Sequence, residues 1–171
     1  MSTYLNSKHN SDNNGPMLSK TKILVVDDEE DILEFLSYNL EKEGAKVYTA
    51  NNGLEAIEIA KKKKPDLILL DVMMPEMDGV ETCIQLRDKV ETKNIVIAFL
   101  TARGEDYSQI AGFDAGADDY IAKPIKPRVL ISRIKALLRR KEGSVQPMAS
   151  SELKSLRIDR ERYVVVKDDV E

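Results

Sequence analysis

Ile23-Leu24-Val25-Val26-Asp27-Asp28 decides how this 171-residue chain is read. Four apolar residues without alternation suit a strand covered on both faces, and the run stops at two aspartates. Three later runs repeat the design. Leu67 to Leu70 stops at Asp71, Ile95 to Leu100 stops at Thr101, and the weaker Tyr120 to Ala122 stops at Lys123. Carboxylates, a hydroxyl and an ammonium are the groups that can handle a phosphoryl group. Strands sharing one sheet would gather them along one edge.

Between these runs the apolar spacing turns helical. Asp31 to Glu43 carries Ile32, Leu33, Phe35, Leu36 and Leu40, with Gly44 placed to end the helix. Gly53 to Lys64 and Val80 to Val90 repeat the pattern, a fourth helix is predicted from about Tyr107 to Ala115, and a fifth from Pro127 to Lys141. With Lys46 to Thr49 as the second strand, the sum is five βα units. Such alternation predicts an α/β fold, a doubly wound parallel sheet with helices on both faces and right-handed crossovers. The pocket of such a sheet lies at the carboxyl ends of its strands, where the polar residues already stand.

Composition narrows the function. The chain has room for a domain of about 120 residues with its own core. A net charge of −4 argues against a general polyanion binder. The one cysteine rules out a disulfide framework and fits a reducing, cytoplasmic compartment. No apolar stretch approaches the roughly 20 residues of a membrane span, and no signal-peptide core is present. Residues 1–20, rich in Ser and Asn, read as a disordered leader holding His9, the one histidine. A Ser-His-Asp triad and a histidine zinc site are thereby removed.

The run Asp27-Asp28-Glu29-Glu30-Asp31 supports two readings. Glu29, Glu30 and Asp31 suit a helix cap and first turn favoured by the dipole. Asp27 and Asp28 meet a third carboxylate, Asp71, and three such groups repel unless a hard cation sits among them. Mg²⁺ fits, with Asp28 and Asp71 as direct ligands and Asp27 through water; Mn²⁺ could substitute. A lysine at position 123 aimed into the pocket would pair with Asp71 and offset charge on an incoming anion. Thr101 offers a hydroxyl to a phosphoryl oxygen.

Together with Asp71-Val72-Met73-Met74-Pro75-Glu76-Met77-Asp78-Gly79, Leu100-Thr101-Ala102 and Gly116-Ala117-Asp118-Asp119-Tyr120-Ile121-Ala122-Lys123-Pro124, these residues resemble the receiver domains of bacterial two-component response regulators. The resemblance covers residues 21–142 and implies a flavodoxin-like sheet of order 2-1-3-4-5. It implies Asp71 as phosphoacceptor, taking its phosphoryl group from the phosphohistidine of a sensor histidine kinase. It also implies the backbone carbonyl of Met73 as a metal ligand, and a switch in which Thr101 and Tyr120 move together. An aspartate near its reference pKa of about 3.9 is ionised at neutral pH and ready to attack. Met73 and Arg103 flank the path of an attacking water and cannot activate it, so slow dephosphorylation is expected. The domain is read as a signalling acceptor, not an enzyme. A haloacid-dehalogenase-type phosphatase is the alternative, disfavoured because Asp27-Asp28-Glu29 lacks the Asp-x-Asp order of that family; a stand-alone relay module differs only in output.

The fifth helix resembles its counterpart in the OmpR/PhoB subfamily. This implies homodimerisation through the face of the fourth helix, fifth strand and fifth helix, with Ile110, Phe113 and Ile131 as apolar patch and Asp119 with Arg133 as an intersubunit ion pair. A further charge pair of that subfamily is replaced here by Gln109 and Val129. Its basic end, Arg139-Arg140-Lys141, is explained by the helix dipole. Residues 143–152 read as a linker. Residues 153–171 resemble the opening β-hairpin of a winged-helix effector domain, a short β extension cut before any recognition helix. DNA binding would then belong to the missing effector domain.

Overall fold

Each apolar run of the sequence has a face to cover on both sides, and the sheet supplies two. The computed structural model describes residues 17–102, 114–143, 156–159 and 164–167. Its elements are β1 (Lys22–Val26), α1 (Glu30–Lys42), β2 (Lys46–Ala50), α2 (Gly53–Lys63), β3 (Leu67–Asp71), α3 (Gly79–Asp88), β4 (Val96–Thr101), β5 (Asp119–Ala122) and α4 (Pro127–Lys141). Strands β6 (Leu156–Asp159) and β7 (Val164–Lys167) follow. The helix numbered fifth in the sequence is therefore α4 here. The predicted fourth helix lies, apart from Asp114 and Ala115, outside the described residues, as do residues 1–16 of the leader, Arg103, Ile110 and Phe113. The rest of the leader, 17–20, is a turn and not disordered: Leu18 is buried in the core and its N–H donates to the Glu43 carbonyl at 2.8 Å.

The five strands are parallel in the order β2-β1-β3-β4-β5, as expected. Alternation along each strand splits the core in two. Ile23, Val25, Leu67, Leu69, Ala98 and Leu100 pack beneath α1 and α4, against Leu33, Leu36, Leu130 and Ile134. Leu24, Val26, Ile68, Leu70, Ile97 and Phe99 face the other way, against Ala56, Ile57, Cys83 and Leu86 of α2 and α3. Every residue of β3 and β4 is buried, which is why these runs show no polar alternation. Each fully buried Leu or Ile is worth about 1.5–3 kcal/mol. Cys83 donates to the Ala115 carbonyl at 3.5 Å, and burial pushes its thiol up to about 11.

Helix ends follow local chemistry. Asn52 caps α2 by accepting from Glu55 N–H at 2.9 Å, and Asp78 caps α3 by accepting from Glu81 N–H at 2.8 Å. Helix α3 ends at Asp88, short of the expected Val90. Lys89 is extended, and the Thr92 hydroxyl donates to the Leu86 carbonyl at 2.7 Å, drawing the chain out of the helix. The β6–β7 pair is antiparallel, Leu156 opposite Lys167 and Asp159 opposite Val164.

Candidate functional site

The carboxyl edge of the sheet gathers what the sequence scattered. Asp27 follows β1 and is fully buried; its N–H donates to the Ala50 carbonyl of β2 at 3.2 Å, and Glu29 N–H donates to its Oδ1 at 3.0 Å. Asp71 closes β3 and is 5% exposed. Asp28 is exposed. One carboxylate oxygen from each of Asp27, Asp28 and Asp71 lies within 4.8 Å of the others.

Lys123 enters from the end of β5. Its N–H donates to the Thr101 carbonyl at 2.7 Å, fixing the backbone beside β4. Its ammonium then lies 3.0 Å from Asp27 Oδ2, 3.2 Å from Asp71 Oδ1 and 3.9 Å from Glu29 Oε1. Three pocket carboxylates face one ammonium, and the deficit is felt at Asp71. Burial, and then the Asp27 charge, push its carboxyl up to about 6, against the pull of Lys123. The expectation of a reference-like Asp71 is thus corrected, although a group titrating there is still mostly ionised at neutral pH. Burial pulls Lys123 downward, but its hydrogen bond to Asp27 and the charges of Asp71 and Asp27 outweigh this and hold it above the ordinary lysine value.

The donor set fits a hard divalent cation: carboxylate oxygens only, converging, and short of positive charge. The loop after β3 is held close to the site by α3. Gly79 N–H donates to the Val72 carbonyl at 2.9 Å, and a Cβ at Gly79 would collide with the Asp71 carbonyl oxygen. Only glycine allows this approach.

Other predicted residues take less central places. Thr101 ends β4 and is 1% exposed. Tyr120 is half-buried against Phe99, ring centroids 5.4 Å apart. Met73 is 65% exposed. The Arg133 guanidinium donates to both Asp119 oxygens and to the Tyr120 carbonyl at 3.0 Å, so within one chain this pair is already closed. Ile131 lies in the core at 7% exposure, while Val129, at 47%, is the exposed apolar residue of α4.

The reach of one residue and the whole role of another were invisible to sequence reasoning. Glu29 occupies the N-cap of α1, yet its side chain makes no cap hydrogen bond and reaches toward Lys123 instead. Arg87 of α3 donates to the carbonyls of Gly116 (2.9 Å), Lys93 (3.0 Å) and Ile95 (2.7 Å) and to Asp118 Oδ2 (3.0 Å). Glu29 stands in the acidic run read as a cap, where nothing marks its reach to Lys123; the Arg87 partners are mostly backbone, which leaves no residue-type signal.

Known proteins resemble the chain closely. The response regulator receiver domain model matches residues 23–135. The alkaline phosphatase synthesis transcriptional regulatory protein PhoP of Bacillus subtilis is 47% identical over 147 residues, which are 86% of this chain and 58% of that protein. The transcriptional regulatory protein SrrA of Staphylococcus aureus is 42% identical over 156 residues, 88% of this chain and 64% of its own. The chain thus spans about three fifths of the length of these curated relatives. Among solved structures, a CheY-like receiver domain protein from Methanospirillum hungatei superposes with a TM-score of 0.69 at 30% identity, covering 73% of this chain and 98% of that one. The chemotaxis protein CheY4 of Vibrio cholerae gives 0.66 at 32%, covering 68% and 98%. No described helix is long and apolar enough to cross a membrane. With five parallel strands in the expected order and an acidic edge facing one lysine, the chain belongs to the response regulator receiver domain family.

Proposed function

We propose that Asp71 is the phosphoacceptor of a two-component phosphorelay. The observation that carries this reading is the Lys123 ammonium at 3.2 Å from Asp71 Oδ1 and 3.0 Å from Asp27 Oδ2, beside three converging carboxylates. An Asp71 oxygen forms the new P–O bond while the P–N bond of a kinase phosphohistidine breaks, and the departing imidazole keeps the bonding pair and takes up a proton. Lys123 offsets charge on the transferring group, which is most of what phosphoryl transfer asks of a protein. Asp28 and Asp71 directly, Asp27 through water and the Met73 carbonyl would hold Mg²⁺. When bound, the ion would neutralise phosphoryl oxygens as the acceptor approaches them.

Thr101 then donates its hydroxyl to a phosphoryl oxygen and Tyr120 repacks behind it, a local charge change biasing a two-state element. The output is dimerisation through the face containing β5 and α4, with Asp119 and Arg133 exchanging their internal pair for one across the interface. Met73 and Arg103 obstruct water and prolong the phosphorylated state. Residues 21–142 form the receiver and 143–152 a linker. Residues 153–171 begin a DNA-binding effector domain, a reading supported by the transcriptional regulators among the relatives and by the β6–β7 hairpin.

Acetyl phosphate with Mg²⁺, followed by intact mass and size-exclusion chromatography, tests the proposal. A phosphoryl adduct that Asp71→Asn abolishes, together with a shift toward dimer, is expected. An adduct that survives this substitution, or repeated turnover of an aryl phosphate through Asp27, overturns it.

A further inference from the structure

Lys123 has three carboxylate neighbours, and they are not equivalent. Asp27 and Asp71 belong to the group whose oxygens converge within 4.8 Å. Glu29 does not; its Oε1 stands 3.9 Å from the ammonium, and its side chain is 67% exposed at the mouth of the pocket. A glutamate at a helix N-terminus ordinarily serves the free N–H groups or the dipole. Glu29 makes no side-chain cap bond. Its backbone N–H instead fixes Asp27 Oδ1 at 3.0 Å, so one residue orients both Asp27 and the lysine opposite it.

We infer that Glu29 is a positioning residue for Lys123, acting as a competing counter-ion that holds the ammonium away from an incoming phosphoryl group. The inference rests on the phosphoacceptor reading above. Of the lysine's carboxylate neighbours, Asp27 and Asp71 are claimed by the cation and by the phosphoryl group during transfer. Glu29 remains as the competitor, and each encounter with a phosphodonor must displace it. The charge of Glu29 alone would also repel an anionic donor, but repulsion depends on charge and tethering depends on reach. Aspartate at this position keeps the first and, one methylene shorter, loses the second.

The rate of adduct formation on the full chain with acetyl phosphate and Mg²⁺, read by intact mass, separates these cases. Glu29→Gln and Glu29→Asp are both expected to accelerate acceptance about two- to fivefold, the factor that an exposed ion pair commands. A Glu29→Asp variant behaving as wild type, or a Glu29→Gln variant with an unchanged rate, overturns the tether. A second readout uses no metal and no phosphodonor. In the metal-free protein, Glu29→Gln should shift the thermal midpoint, and this shift should vanish in a Lys123→Met background, as a double-mutant cycle requires; equal shifts in both backgrounds overturn the contact. If wild type forms no adduct on Asp71 while the cycle still shows coupling, the phosphoacceptor reading fails and the contact stands.

Discussion

The two edges of the sheet handle charge in opposite ways. At the amino-terminal edge, Arg87 donates to three backbone carbonyls and to Asp118, whose Oδ2 also accepts from Ile97 N–H at 2.8 Å. Positive and negative groups are matched, and the lead-in to β5 is stapled to α3 and the start of β4. At the carboxyl edge, Asp27, Asp28 and Asp71 converge, one lysine pairs with Asp27 and Asp71, and Asp71 is pushed up to about 6. One edge is satisfied and holds the fold; the other is left short of cations and so has affinity to spend on one. Helix α3 joins them, its Gly79 end against Asp71 and its Arg87 end in the staple.

Breaking the staple should have the largest effect. Arg87→Ala leaves partly buried carbonyls without their donor and Asp118 with Ile97 N–H alone, and should cost about 3 kcal/mol in chemical denaturation; a loss under about 1 kcal/mol would place Arg87 with ordinary surface pairs. The same logic reverses at the other edge. Because the Asp71 carboxyl titrates higher in the folded than in the unfolded chain, its stabilising contribution is complete below pH 4 and is lost as pH rises through about 6. Metal-free Asp71→Asn should therefore be more stable than wild type by about 2–3 kcal/mol at pH 7.5, with the gap closing toward pH 3.5. Melting curves across that range check it, and a gap independent of pH would mean that Asp71 feels no charge deficit. The connecting helix gives the smallest effect: Asp78→Ala removes the cap of α3 and should cost about 1 kcal/mol, without abolishing a phosphoryl adduct. A larger loss would show that the α3 start is coupled to the site beyond its cap.

How much of this was legible beforehand varies by element. The strand runs at 23–26, 67–70 and 95–100 are apolar because both faces are covered, so their burial left a direct trace. The last helix, Pro127–Lys141, was bounded by its own proline and basic end and matches residue for residue. Asp27, Asp28, Asp71 and Lys123 were readable because each stands where a strand stops. The end of α3 was not, since it depends on the Thr92 hydroxyl reaching back to Leu86. Nor was the buried state of Ile131, which the subfamily resemblance offered as surface patch; α4 turns it into the core beside Leu130 and Ile134.

Periodicity, strand-end chemistry and composition are local properties, and they suffice for the fold class, the edge of the sheet that carries the site and the residue types found there. Distance and dielectric are not local. Only the tertiary structure could decide that one lysine serves Asp27, Asp71 and Glu29 together, that burial raises Asp71, and that Arg87 closes the opposite edge. Lys123 and Asp27 are separated by 96 positions in the chain; their strand-end places put them on one edge, and only packing brings ammonium and carboxylate to 3.0 Å.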